Sequence, residues 1–197
     1  MSYQNLIQDG TGKGFMAQVD ATNKVAVRGV VESTYDERGK LGEAFNVNTQ
    51  LVPFASTGTT ETPLLYLVNN ELDEVELLNF FVAIGLSSGV FSENPLFRVY
   101  GNPAGVTGGV DVGVTNRRVG SPRAFAFNVK RQDSGTPLVW SPSGTPLLYQ
   151  TLTQSNRAIG TVNLYINPSA SVIVTFTSNL AASSVNAYAG FAGFVDP

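Results

Sequence analysis

The sequence predicts an all-β protein: a β-sandwich of jelly-roll-like kind, preceded by an extended N-terminal β arm. Three observations lead there. Twenty glycines and ten prolines fall between short apolar runs, the punctuation of many short strands. No segment keeps a helical apolar period for longer than about two turns. After residue 60, about eight alternating apolar segments follow one another with turn residues at regular spacing, the pattern of a two-sheet sandwich. A chain of 197 residues is long enough to bury such a core without disulfides.

The elements follow in order. Gly10 to Gly14 is a glycine-rich lead-in. Phe15 to Val19 alternates, Asp20 to Asn23 reads as a turn, and Val25-Ala26-Val27 alternates again, which predicts a hairpin. Tyr35 to Lys40 reads as a second polar turn, and Phe45 to Asn48 as a strand. The first fifty residues hold 11 of the 27 charged side chains, 5 basic and 6 acidic. They carry too few apolar residues to fold alone. Residues 1–55 are therefore expected to pack on the chain's own domain, on a sister subunit or on a partner.

Ser56 to Thr60 reads as a loop, and residues 56–197 as the sandwich. Its expected strands begin with Leu64 to Val68 and Val75 to Ile84, around a turn at Asn69 to Asp73. Asp73 to Phe81 also carries a short helical signal, but Phe80 to Ile84 is rich in strand formers and decides for strand. Next come Leu96 to Tyr100, then Arg123 to Val129 with its aromatics on one face. Leu147 to Leu152, Val162 to Ile166, Ser171 to Thr177 and Val185 to Phe194 complete the set. The pentapeptide Thr-Pro-Leu-Leu-Tyr occurs at Thr62–Tyr66 and Thr145–Tyr149. Such a recurrence marks either equivalent strands in two halves of the sandwich or a favoured strand entry met twice.

Composition narrows function. Histidine and cysteine are both absent, which removes the commonest general base, the commonest metal ligand and all thiol chemistry. The expectation is a protein that is not an enzyme and uses no cofactor. A net charge of −3 offers no broad basic surface for nucleic acid. No apolar run approaches the ~20 residues of a membrane span. The polar stretch Met1 to Gly10 lacks a signal-peptide core, so synthesis in the cytoplasm without general export is expected.

The remaining constellations read poorly as chemistry. Glu71, Asp73, Glu74 and Glu76 are dense enough for a carboxylate pair or calcium, but they sit at an expected turn, where solvation accounts for them, and no calcium-loop spacing appears. Gly10-x-Gly12-x-Gly14 lacks the following helix and the Lys-Ser/Thr ending of a phosphate loop. No serine has a nucleophile-elbow context. Arg117-Arg118, Arg123 and Lys130-Arg131 form the one basic concentration, suited either to an acidic partner or to solubility. Trp140, the single tryptophan, lies between Pro137 and Pro142 and reads equally as a stacking platform, an interface anchor or a core plug. With Tyr149 and Tyr165 it would form the stacking set of a carbohydrate- or receptor-binding sandwich.

Charge distribution is the most informative feature. Only 14% of residues are charged, against about a quarter in an ordinary soluble domain. Between Ser134 and Val195 the one charged residue is Arg157. So long a stretch cannot all be core, and subunit interfaces lose charge in this way. The competing reading is a bland, hydroxyl-rich surface.

The segments Ile7-Gln8-Asp9-Gly10-Thr11-Gly12-Lys13-Gly14, Ala17-x-Val19 and Asn23-Lys24-Val25-x-Val27 resemble the start of structural proteins of tailed-bacteriophage virions. Leu64 to Asn70 leading into a long apolar strand is similar, as is Ser171 to Thr177 followed by an Ala/Gly/Phe-rich strand. The resemblance is one of pattern over most of the chain. It implies a jelly-roll-like, homotrimeric virion component of the head-decoration (capsid cement) kind, made in the host bacterial cytoplasm. Such a component binds itself and the major capsid protein or other virion proteins; a neck, tail or fibre position stays open. The resemblance carries no catalytic residues. The expected interface residues are Phe15, Val25, Phe45, Arg117, Arg118, Trp140, Phe191 and Phe194.

Overall fold

A computed structural model describes residues 6–7, 15–16, 18–19, 25–26, 34–49, 52–57, 61–86, 96–142, 144–151, 157–177 and 181–196. The chain divides into two compact units, Met1–Ser33 and Thr34–Pro197. In the first, β1 (Leu6–Ile7) pairs with β2 (Phe15–Met16), and β3 (Gln18–Val19) pairs with β4 (Val25–Ala26). The second ladder sets Val19 opposite Val25 and Gln18 opposite Ala26, the pairing expected of the hairpin. Its turn, and Val27, lie outside the described residues.

The second unit opens with α1 (Thr34–Leu41), where the sequence reading placed a polar turn. The difference has a physical cause. Gly39 and the absence of an apolar period conceal the helix, and at this length it is marginal alone. Its ends hold it. Asp36 and Glu37 lie in the first turn and Arg38 and Lys40 in the last, each sign facing the favourable end of the helix dipole. Gly42, at φ 80°, closes the helix in a Schellman arrangement. The Glu43 N–H donates to the Arg38 carbonyl at 2.8 Å and the Gly42 N–H to the Gly39 carbonyl at 3.1 Å. Arg38 then bridges Glu43 at 2.8 Å and Asp196 at 2.6 Å, which ties the helix to the end of the last strand.

The strands that follow are β5 (Ala44–Asn48), β6 (Val52–Thr57), β7 (Thr62–Asn69), β8 (Glu74–Leu86), β9 (Leu96–Gly101), β10 (Ala104–Thr107), β11 (Val110–Asp111) and β12 (Val114–Asn116). After them come β13 (Phe127–Arg131), β14 (Val139–Ser141), β15 (Leu148–Thr151), β16 (Arg157–Ile166), β17 (Ser171–Thr177) and β18 (Ala181–Asp196). One antiparallel sheet runs β11-β13-β7-β17-β9-β15. The other runs β12-β5-β18-β8-β16, with β6 also on β18. Strands β5 and β6 lie end to end along β18, pairing Gly190–Phe194 and Ala181–Ala187. Leu65, Leu67, Phe97, Val99, Val172, Val174 and Phe176 of the first sheet share a core with Phe45, Val47, Val75, Leu77, Phe80, Val82 and Phe191 of the second. The protein is an all-β sandwich, and the alternation in each strand supplies the two inner faces.

Three expectations change here. The division between units falls at Ser33/Thr34 instead of residue 55, because Phe45 and Val47 are fully buried between the sheets and make β5 part of the sandwich. β7 and β8 do not form a hairpin: β7 pairs with β13 and β17, and β8 with β16 and β18. The chain crosses between sheets at Asn70–Asp73, and two alternating strands read alike whether they pair or face each other across a core. The two Thr-Pro-Leu-Leu-Tyr copies enter β7 and β15, an inner and an edge strand of one sheet, so they do not mark two halves. Tyr66 is half-buried, whereas Tyr149 is 70% exposed.

Asn69 sets the cross-sheet connection. It is fully buried. Its amide donates to the Asp73 carbonyl at 3.0 Å and the Ile166 carbonyl at 2.8 Å, and its Oδ1 accepts the Glu71 N–H at 2.9 Å. Asn69→Ala strands these groups and is expected to cost about 2–3 kcal/mol, measured by denaturant unfolding. Asn69→Asp places an acceptor against two carbonyls and is expected to cost more.

Candidate interaction surface

Four of the expected interface residues are core. Phe45 and Phe191 are 0% exposed and Phe194 is 2% exposed. Phe45 is enclosed by Phe125 and Phe127, with ring centroids at 5.4 and 4.6 Å. Phe191 packs on Phe80 at 5.8 Å, and Phe194 lies beneath the Arg38 guanidinium at 6.0 Å. Side chains so enclosed offer nothing to a partner while the domain is folded. Phe15 and Val25 lie in β2 and β4, and their side chains are outside the described residues.

Trp140 resolves as a core plug. The residues of the first sheet that point away from the main core include Tyr66, Tyr100 and Ile173. The β10–β14 ribbon brings Leu138 and Trp140 over them to form a second apolar cluster. Trp140 packs on Tyr100 at 4.9 Å and is 7% exposed, so neither a stacking platform nor an anchor is available. The two arms of the ribbon lie so close together that a Cβ on Gly108, at φ +70°, would stand 2.2 Å from the Pro137 carbonyl oxygen.

Beside this cluster lies a polar network that sequence reading missed, because its members are far apart in the chain. Glu61 accepts hydrogen bonds from the Tyr100 hydroxyl at 3.2 Å and from the Thr175 hydroxyl, and pairs with Arg98 at 3.3 Å. Arg98 donates to Thr177 at 2.8 Å. Burial, and then the Glu61 carboxylate that accepts its hydrogen bond, push the Tyr100 phenol above its ordinary range. In the fold, Tyr100 keeps its proton after the unfolded chain has lost it. Its stabilisation is full below about pH 10 and is lost as pH rises through the folded value. Tyr100→Phe is expected to flatten the alkaline decline in stability, measured as unfolding midpoints stepped into strong alkali. An unchanged slope would assign the decline to another group.

Four of the five residues of the basic concentration form ion pairs within the chain. Arg117 pairs with Asp36 at 3.2 Å, Lys130 with Asp111 at 2.9 Å and Arg131 with Asp133 at 3.8 Å. Arg123 reaches Glu43 and Glu71, each at 3.7 Å. Arg117 and Arg118 are nevertheless exposed, and surface pairs of this kind contribute about 0–1 kcal/mol each. The acidic cluster disperses: Glu71 accepts the Ala126 N–H at 2.6 Å, while Glu74 and Glu76 stand in β8 opposite Asp196 and Phe194. Among the described residues no three metal-ligating side chains converge.

Among the described residues, large apolar side chains reach the surface singly at Leu41, Leu72 and Val119, and four more do so in the charge-poor stretch from Ser134 to Val195. Val139 is 55% exposed, Leu147 55%, Tyr149 70% and Tyr165 59%. Leu147 and Tyr149 belong to the β15 segment and Tyr165 to β16. These consecutive strands form the last strand of the first sheet and of the second sheet respectively. Among the described residues, one side of the sandwich thus presents two end strands with exposed apolar side chains, and Arg157 is the one charged residue in their sequence; apolar, charge-poor surface of this kind is the composition of an interface centre. No family model, curated protein or solved structure matches the chain.

Proposed function

We propose that the protein is a non-enzymatic structural component of a phage virion that self-associates and decorates the capsid by binding the major capsid protein. The observation that carries this reading is the charge-poor β15–β16 side, with Leu147, Tyr149 and Tyr165 exposed on it. A decoration protein needs rigid β-structure and contact surface and no active site. An apolar edge with little charge serves contact better than it serves solvation. The resemblance of the N-terminal and closing segments to tailed-phage structural proteins supplies the particle.

The test is removal and return. Particles stripped of this protein should regain resistance to heat and osmotic shock when the purified chain is added back, with the chain located on the head. Binding only at the neck, tail or fibres would move it to another place in the virion, and no binding would sink the reading. A glycan-binding sandwich is the second reading, favoured by exposed Tyr149 and Tyr165. Saturable binding on a glycan array, lost in Tyr149→Ala, would support it; the burial of Trp140 removes its strongest platform.

A further inference from the structure

We propose that the end of the sandwich carrying Leu41, Leu72 and Val119 is a contact between two copies of this chain, related by a two-fold axis, with Arg118 of each copy against Asp73 of the other. Val119 is 98% exposed, Leu72 92% and Leu41 58%. The three are isolated in sequence, and the fold brings them to one end. Asn116, the last residue of β12, braces two of them. Its amide donates to the carbonyl of Gly42, next to Leu41, at 2.8 Å and to the Arg123 carbonyl at 3.3 Å, and its Oδ1 accepts the Arg118 N–H at 2.8 Å. Glu71 braces the third. It accepts the Ala126 N–H at 2.6 Å and reaches Arg123 at 3.7 Å, while the Asn70 N–H donates to the Ala126 carbonyl at 2.9 Å. The turn that presents Leu72 is thus bonded to the loop that presents Val119. Side chains on braced turns lose little freedom on contact, which favours association.

Exposed apolar residues are ordinary when scattered; the charges beside these set them apart and choose the occupant. Among the residues whose side chains are described, Arg118 is the one cation, and Asp73 the one carboxylate, without a charged or hydrogen-bonded partner in the chain. The others are engaged in ion pairs or hydrogen bonds, or act on Arg38 and Tyr165, as Glu37 and Glu74 do. Arg118 immediately precedes Val119, and Asp73 immediately follows Leu72. Each unpaired charge therefore adjoins one of the two most exposed large apolar side chains, and the two signs are opposite. A partner for this end must offer an acid beside one apolar group and a cation beside another, at the same spacing. A second copy turned about a two-fold axis offers both. Arg118 then meets Asp73 twice, Val119 meets Leu72 twice, and no like charges of these pairs face each other. Such self-complementarity is what an isologous contact requires. The apolar side chains exclude water from the two ion pairs, where opposite charges attract more strongly than on an open surface.

The proposal does not rest on the virion reading: a chain that pairs in solution but fails to return to stripped particles would overturn that reading and leave this one standing. The test is sedimentation of the full chain across the micromolar range. The wild type is expected to reach the mass of two chains. Asp73→Arg and Arg118→Asp each set like charges against each other across the axis, and each is expected to weaken association roughly tenfold or more. The unfolding midpoint should change little, because neither side chain has a partner in its own chain. An equimolar mixture of the two variants restores opposite charges at both contacts and should recover the two-chain mass. A wild-type mass of one or three chains, variants that associate as the wild type does, or a mixture that stays monomeric would each overturn the proposal. Should a variant fold poorly, crosslinking decides, since the chain has no cysteine of its own. Leu72→Cys and Val119→Cys chains, mixed, should be joined by a short thiol crosslinker in preference to either chain alone; no such preference would refute the contact.

Discussion

Replacing Phe45 with alanine is expected to destabilise the sandwich by about 3–5 kcal/mol, the range for emptying a fully buried aromatic site. That is a large fraction of the ~5–15 kcal/mol that holds a domain together. The ring is 0% exposed and lies against Phe125 and Phe127, which stack on each other at 5.5 Å with an interplanar angle of 9°. Its loss leaves a cavity between β5 and the segment before β13. Denaturant unfolding should show the midpoint falling sharply, with Phe45→Leu intermediate. The measurement also separates core from interface. A residue that served only a partner would leave the monomer's midpoint in place and weaken assembly instead.

Gly193→Ala is expected to cost roughly 3 kcal/mol or more, at or beyond the upper end of overpacking effects. A Cβ at this position would stand 2.2 Å from the Glu76 carbonyl oxygen and 3.2 Å from Leu77 Cα. These are backbone atoms of β8, so no side-chain rotation relieves the clash. The close approach arises where the β18–β8 register steps between Ala192–Asn79 and Gly193–Leu77. That step leaves Leu78 without a partner and draws the strands together. The whole ladder would have to open to admit a methyl group. Gly113→Ala is the control: a Cβ there meets nothing within 4 Å, and a change within about 0.5 kcal/mol is expected. Comparable losses in the two variants would remove the steric account.

Much of the strand inventory was legible because strand signals are local. Ser171–Thr177 is a run of β-branched and aromatic residues bounded by turn formers, and β17 has those bounds. The face shared by Phe125 and Phe127 was visible in their spacing. Helix α1 was not legible, because its support comes from a glycine cap and from an Arg38–Asp196 contact spanning 158 residues. Trp140 reads alike as surface or core in the sequence, because nothing near it says that the β10–β14 ribbon folds over Tyr100 and Ile173. The Glu61–Arg98–Thr175 network was invisible for the same reason.

The candidate surface divided in a similar way. The loss of charge after Ser134 is a property of composition and needed no coordinates. Phe45, Phe191 and Phe194, expected as contacts, are buried instead, because an aromatic carries the same apolar signal whether it faces a partner or the core. What singles out Tyr149 and Tyr165 is their place on end strands of the two sheets, and edge position is a property of pairing.

The amino-acid sequence by itself determined that this is an all-β chain, where most of its strands run, and that its last third carries almost no charge. Periodicity, turn chemistry and composition act within a few residues and can be read there. Only the tertiary structure decided which strands share a sheet, that β7 and β8 face each other across the core, which aromatics are buried, and that β15 and β16 are left at the edges. Backbone hydrogen bonds join any two strands alike. The choice among partners is made by packing summed over the whole core, and no segment of the chain contains it.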